Sequence, residues 1–588
     1  MKKGLLAGIL IGALGLALAT PKDTFVHMTF GEVDTLDPAQ AYDTASNYII
    51  ENVYETLYGY KKDSLTQYEP LLATSYEIKD GGKTYVFRLR KGVKFHSGNP
   101  MTCKDAEYSF ERVLVTNPGD SWGWFLAESL VGYDVNAKAA AEEKLGKDAD
   151  PAKLKAFLDD YWKKIDNSVE CEGLYTLRFN LVKPDPTFFA KLLYAGAAIV
   201  DSKWAIAHGE WSGTKKDWEA WIGKDLRQGY LHNHMSGTGA YKLVKWDGKD
   251  VVAEAFDGYW GKKPKIKKIL VQVVNEEPTR IEALKRGDAD RIAVTSRAVL
   301  ESQVRSIPGV KVWEDKNWAP AAAGAVFFNQ APAAKDNPYL GSGKLDGKGV
   351  PPEFFKDEHV RKAFAYAIDQ DAIIDELYLG KGVKLTMALP PSFLGYDPNL
   401  PIYTYDPDKM EAHFKKALGG KLWTTGFEIT ILYNEGNRVR QTIAEMFKAN
   451  IEEINPKFKV NVQGVQWPDF IRAVSKRQLP VFILGWGADY ADPDNFIYTF
   501  YHSRGYYGNK IGIKDQEMDR LIEEARTITD AKKRAELYHQ VGKRAYETAP
   551  LVPYPLPSPF IVTRNNVTGV YYNPMLSGTF LWKDIEKK

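Results

Sequence analysis

The chain has 588 residues, 78 Lys and Arg against 76 Asp and Glu for a formal charge of +2, and 44% hydrophobic residues. At nearly four times a usual domain of about 150 residues, and with ordinary apolar content, it is a multi-lobed globular protein rather than a disordered or collagen-like one. A chain this close to neutral has no field to hold a phosphate backbone, which excludes nucleic acid as its main partner.

Met1-Lys2-Lys3 precedes an uncharged stretch from Gly4 to Ala19, and the polar run Thr20-Pro21-Lys22-Asp23 follows it. A basic start, an apolar segment short of the ~20 residues that span a bilayer, and Ala17-Leu18-Ala19 as a small-x-small site read as a signal peptide over residues 1–19, cleaved after Ala19. An uncleaved anchor is the alternative. Loss of Lys2 and Lys3 leaves 76 charges of each sign. No Cys follows the apolar segment to carry a lipid, and no later run is long and apolar enough to span a membrane, so a soluble periplasmic or extracellular product is expected.

From Tyr76 to Leu89 apolar and polar residues alternate on both sides of Asp80-Gly81-Gly82, which predicts a β-hairpin. Thr102 then caps a helix running to Leu114. Cys103 opens that helix, and Cys171 stands just before a strand predicted over Leu174 to Leu181. These are the only two cysteines; in an oxidising compartment they are expected to pair, two buried thiols being the alternative. Residues 135–165, rich in Lys, Ala, Glu and Asp, read as a helical surface insertion. Residues 331–352, rich in Pro, Gly, Lys and Asp, read as an exposed loop.

Further on, Val360, Phe364 and Ala367 fall at helical spacing. Asp369 caps a helix that Gly380 ends, and Asp406-Pro407 starts another that stops at Gly419-Gly420. Ile429 to Tyr433, Phe458 to Val465 and Val481 to Leu484 are short β-prone runs alternating with helices, which predicts an α/β lobe.

Several apparent chemistries fail on their residues. Gly341 to Gly349 has glycines and lysines but no Ser or Thr after a Gly-Lys, so it is no phosphate loop. Asp489, Asp492 and Asp494 lack the spacing and closing Glu of a calcium loop, and with Trp486, Tyr490, Pro493 and Phe496 around them they suggest a pocket wall rather than a glycosidase pair. His232 and His234 have no partner ligands for a metal. No nucleophile, base and acid motif of a hydrolase is present, and no cofactor is implied.

Leu72 to Thr102, with Asp105 and Phe110-Glu111-Arg112, resembles the dipeptide/oligopeptide class (family 5) of extracellular solute-binding proteins of ABC importers. Further blocks keep that family's order: Gly237 to Leu243, Tyr259-Trp260-Gly261 with Arg280 and Gly287 to Asp290, Val360 to Asp369, Gly485 to Phe496, and Ala549 to Tyr554. The resemblance spans essentially everything after residue 19. It implies two α/β lobes of the periplasmic-binding-protein fold (type II-like, class C), joined by hinge strands, with an extra subdomain in the first lobe and the ligand enclosed between them. By matching blocks, the first lobe takes residues 20–60, 190–322 and 550–588, the subdomain 61–189, and the second lobe 323–549.

The resemblance also implies a site. Asp489 matches the aspartate that meets a peptide's α-ammonium, and the main chain of Gly485 and Gly487, flanking Trp486, pairs with the ligand backbone as an added strand would. Trp467 matches a cleft-lining Trp, Trp122 and Trp124 fall where relatives place an aromatic wall, and Tyr42 and Thr44 lie in the first cleft loop. Such rings join large apolar area to a polar handle. Some relatives carry an Arg where this chain has Ile483; Arg438 and Arg440 are the candidate substitutes near the ligand's carboxylate. The expected function is a non-enzymatic, monomeric receptor that captures a di- or oligopeptide and delivers it to an ABC permease and its ATPase. An oligosaccharide receptor of the same family is the alternative, and an exported hydrolase a remote one.

Overall fold

The computed structural model describes residues 20–588, so the signal-peptide reading of residues 1–19 lies outside the described residues. Two sheets organise two lobes. The first has seven strands in the order Val310–Trp313, Ile561–Arg564, Arg291–Ile292, Thr24–Thr29, Lys268–Val273, Val251–Ala255, Tyr241–Trp246. Its central strand Thr24–Thr29 runs parallel to both neighbours, Thr24 opposite Lys268 and His27 opposite Arg291. Parallel neighbours need long crossover connections, and both of these neighbours come from the middle of the chain, at 268–273 and 291–292.

The second lobe has five strands in the order Phe458–Val465, Phe427–Asn434, Val481–Gly487, Ala322–Phe328, Leu551–Pro553. The three predicted runs are its parallel part, Phe427 opposite Phe458 and Ile431 opposite Val481. Helices Arg438–Ile454 and Trp467–Ser475 make the crossovers between them. Ala322–Phe328 then adds antiparallel to Val481–Gly487, with Gly324 opposite Gly485. The strands Ala322–Phe328 and Leu551–Pro553 both belong to this sheet, so the chain passes between lobes at 314–321 and 554–560.

The extra subdomain is an antiparallel four-stranded sheet, Ala73–Lys79, Thr84–Leu89, Thr176–Asn180, Val169–Cys171. The predicted hairpin is its first pair, with Tyr76 opposite Phe87. Its turn has positive φ at Asp80 (51°), Gly81 (64°) and Gly82 (93°), a conformation that glycine enters without steric cost. Helix Cys103–Thr116 begins with a capping box, the Thr102 N–H donating to Asp105 Oδ2 at 2.8 Å. That helix carries Arg112 into the interior. Its guanidinium donates to Asp37 Oδ1 and Oδ2 at 2.7 and 2.6 Å and to Glu210 Oε2 at 2.8 Å, tying the subdomain to first-lobe segments on both sides of it in sequence.

Two local expectations change. The strand expected after Cys171 is present but shorter, Thr176–Asn180, and Cys171 also ends a strand of its own, Val169–Cys171; Cys103 and Cys171 are bonded, 68 positions apart. The predicted surface insertion is two helices, Ala137–Leu145 and Pro151–Ser168, but the second buries Leu158, Tyr161, Trp162 and Ile165. Trp162 packs on Trp211 and Trp218 with centroids 6.1 and 5.3 Å apart. Among the described residues no helix is long and apolar enough to cross a membrane.

Candidate functional site

Between the lobes lies a cavity of about 610 Å³, within the ~300–1,000 Å³ usual for small-ligand pockets. The second lobe contributes the end of Val481–Gly487. That strand pairs with its parallel neighbour only at Val481 and Phe482, so from Ile483 onward this edge is without a strand partner, and Leu484 to Asp489 line the cavity. Space is tight at Gly485, where a Cβ would stand 3.1 Å from both Ala323 O and Arg440 Nη2. At 487 a Cβ would meet only Thr44 Cγ2 at 3.8 Å, and the main chain there is open to a ligand.

Just past the strand, Asp489 is 7% exposed. Its Oδ2 accepts from the Tyr42 hydroxyl and from Asn495 Nδ2, each at 2.9 Å, and its N–H donates to Asn495 Oδ1 at 2.9 Å. No cation acts on it among the described residues, and burial pushes its carboxyl up to about 7. The Tyr42 hydroxyl accepts in turn from Trp124 Nε1 at 2.9 Å, so Trp124, Tyr42 and Asp489 form one relay across the lobes. Rings surround the carboxylate. Tyr42 lies edge-on to Trp486 and Tyr506, with centroids 5.1 and 5.3 Å away, and Trp486 and Tyr506 are 5.3 Å apart. A buried carboxylate among aromatic rings and without a counter-ion can pair with a cation.

Arg440 lines the cavity beside Gly485. Its Nη1 donates to Asn434 Oδ1 at 2.6 Å, and its N–H is capped by Asn437 in the first turn of Arg438–Ile454, where the helix dipole adds positive potential. Arg438 is exposed and does not line the cavity. Of the two candidate arginines, the inward one is therefore Arg440.

Trp467, Tyr42 and Thr44 line the cavity as expected from the resemblance, together with Gly485, Trp486 and Gly487. Trp122 and Trp124 do not. Trp122 is fully buried with its Nε1 donating to Pro38 O at 2.7 Å, and Trp124 stands behind Tyr42, stacked on Tyr498 at 5.3 Å. The wall is instead supplied by Tyr194, Tyr506 and Tyr507, and the far end by the C-terminal segment around Tyr572 and Lys583. Nothing in local spacing marks these residues. Asp492 and Asp494 turn away from the cavity to Arg534 and Arg526.

Contacts outside the cavity also bridge the subdomain and the second lobe. Arg526 Nη1 donates to Glu128 at 2.8 Å, Arg504 Nε and the Tyr498 hydroxyl donate to Asp134 at 2.8 and 2.9 Å, and Lys510 reaches Gly119 O at 3.2 Å.

Two lobes closing on a cavity with fixed charges form the architecture of a protein that captures a solute. Residues 67–508 match the family described as bacterial extracellular solute-binding proteins, family 5 Middle, and the chain belongs to that family. It is 27% identical over 581 residues to the heme-binding protein A of Haemophilus influenzae, covering 97% of this chain and 94% of that protein. It is 26% identical over 595 residues to the dipeptide-binding protein of Escherichia coli, covering 98% and 97%. Among solved structures, the periplasmic binding protein DppA of Helicobacter pylori in complex with the peptide STSA superposes with a TM-score of 0.74 at 23% identity, covering 96% of this chain and 98% of that one. That likeness establishes the two-lobed fold.

With burial pushing its carboxyl up to about 7, Asp489 would have to be ionised if a ligand ammonium is to pair with it. Affinity for a free-amine ligand is therefore expected to fall below pH 7, by up to about tenfold per pH unit, as a proton competes for the carboxylate. It levels off above 7 until the ligand's own amine deprotonates near pH ~8. Titration calorimetry between about pH 5 and about pH 8 checks this, and a flat profile would take Asp489 out of contact with the cation.

Proposed function

We propose that this chain is the capturing subunit of an ABC importer and that its ligand is a short peptide with free termini. The observation that carries the reading is Asp489, a buried carboxylate with two hydrogen bonds and no counter-ion, at the end of an unpaired strand edge. The peptide's ammonium meets Asp489, its backbone lies along Ile483–Gly487 as an added strand, and its carboxylate is held by Arg440. Strand addition supplies affinity without reading side chains. A sugar would leave the buried charge without a partner, so the acidic site favours a cation.

The first lobe in this reading takes residues 20–60, 190–313 and 561–588, with 61–189 as its subdomain, and the second lobe is 322–553, because Leu551–Pro553 pairs with Ala322–Phe328 and so moves the expected boundaries at 322 and 550. The connections at 314–321 and 554–560 act as hinges. Ligand contacts to both lobes shift the population toward the closed form, which a membrane permease with its ATPase then recognises outside the cytoplasm. The protein works as a monomer and performs no covalent chemistry.

Trialanine and N-acetyl-trialanine distinguish this from other solutes. Calorimetry should show the free-amine peptide binding at least about thirtyfold tighter, the cost of burying a charge without its partner. Equal affinities, or release of a non-peptide solute from the denatured protein in mass spectrometry, would overturn the reading.

A further inference from the structure

Asp489 is not the only deeply placed acid in the cavity. Glu51 and Glu55 also line it, and both are satisfied: Glu51 accepts from the Ser577 and Gly578 N–H groups at 3.0 and 2.9 Å, and Glu55 from Thr238, Tyr259 and Trp260 at 2.8, 2.8 and 2.7 Å. Asp43 differs. It is 8% exposed, its Oδ1 accepts the Ser46 N–H at 2.9 Å as the N-cap of helix Thr44–Val53, and its Oδ2 is buried without a hydrogen-bond partner. One turn along the same helix face, Asn47 is 4% exposed, its Nδ2 donating to the Tyr194 hydroxyl at 2.6 Å while its Oδ1 is also unpartnered. The Asn47 N–H donates to Asp43 O at 3.0 Å, which holds the two residues together across the first turn. Both residues line the cavity.

No cation of the protein answers these acceptors. The nearest acid, Asp34, is paired with Arg227 at 2.7 Å and has Arg472 at 3.6 Å, and neither arginine forms an ion pair with Asp43. The Ser46 hydroxyl and the Trp467 indole N–H favour the charged form of Asp43, but neither closes a hydrogen bond to Oδ2. Burial pushes the Asp43 carboxyl up to about 6. Among the described residues Asp43 and Asp489 share no hydrogen-bond partner, while the Tyr194 hydroxyl feels both. The helix N-terminus contributes about half a positive charge, less than the full negative charge of Asp43, so a cation remains favoured.

We propose that Asp43 Oδ2 and Asn47 Oδ1 form a second cation subsite in this cavity, which takes the ammonium or guanidinium of a basic side chain on a peptide whose α-ammonium sits at Asp489. The proposal rests on the peptide reading and narrows it to basic peptides. A hydrogen bond to a charged group is worth about 1.5–3 kcal/mol, roughly 10- to 100-fold in affinity.

Calorimetry on the whole protein with trialanine and with its three single-lysine variants tests it. One lysine position should bind about 10- to 100-fold tighter than trialanine, and Asp43→Asn should abolish that gain while leaving trialanine unchanged. Asn caps a helix as well as Asp does, so the variant keeps its fold, which thermal unfolding verifies. Absence of any lysine preference overturns the subsite alone. Equal weakening of all peptides by Asp43→Asn also overturns it, assigning Asp43 and Trp467 to lobe closure. If no peptide binds, the peptide reading fails and the subsite with it.

Discussion

Asp489→Asn is expected to weaken binding of a free-amine peptide by about 2–5 kcal/mol, thirtyfold or more, the cost of removing one partner from a buried charge pair. The amide is nearly isosteric and can still accept from Tyr42 and Asn495, so cavity shape should survive. The protein alone should be slightly more stable, because a charge buried without a counter-ion is costly and its neutral counterpart is not. Binding should also lose its dependence on pH below 7, since the titrating group is gone. Calorimetry and thermal unfolding read these effects separately. Unchanged affinity in a folded variant would move the cation elsewhere; equal loss for acetylated and free peptides would make Asp489 a framework residue.

Arg112→Ala is expected to have the largest effect on stability, about 3–5 kcal/mol. The guanidinium is 2% exposed and its partners Asp37 and Glu210 are both fully buried. Removing it leaves two carboxylates facing each other without solvent. Urea denaturation should show the loss in the transition that includes the first lobe. Neutralising all three in Arg112→Met, Asp37→Asn, Glu210→Gln should restore most of it, because replacing a whole buried ion cluster by neutral groups is often near zero in cost. A single variant within about 1 kcal/mol of the parent would show that water reaches the cluster.

Local signals read well from residues alone. The Asp-Gly-Gly turn, the Thr102 cap, the helix over Glu358–Ala365 and the second lobe's alternating strands and helices all depend on neighbours within a few positions. Even the buried face of Pro151–Ser168 was present as Leu158, Tyr161, Trp162 and Ile165, hidden by the charged residues between them. Which rings reach the cavity was not written locally. Tyr42 meets Asp489 across 447 positions, and Trp124 touches Tyr42 rather than the ligand space because its helix docks on Tyr498. Arg440 rather than Arg438 points inward because the first turn of its helix is set by the Asn437 cap. Such choices are made by the pairing of distant segments.

The strand order of the first lobe bears on how the chain folds. Thr24–Thr29 joins a sheet whose other strands come from 241–313 and 561–564, so its core cannot close until nearly the last residues are available. The second lobe draws its sheet from 322–553 alone. Long-range parallel pairing is slow because loop-closure entropy is lost before contacts form. The second lobe should therefore mature first and serve as a folded insert, while the two ends of the polypeptide find each other around it.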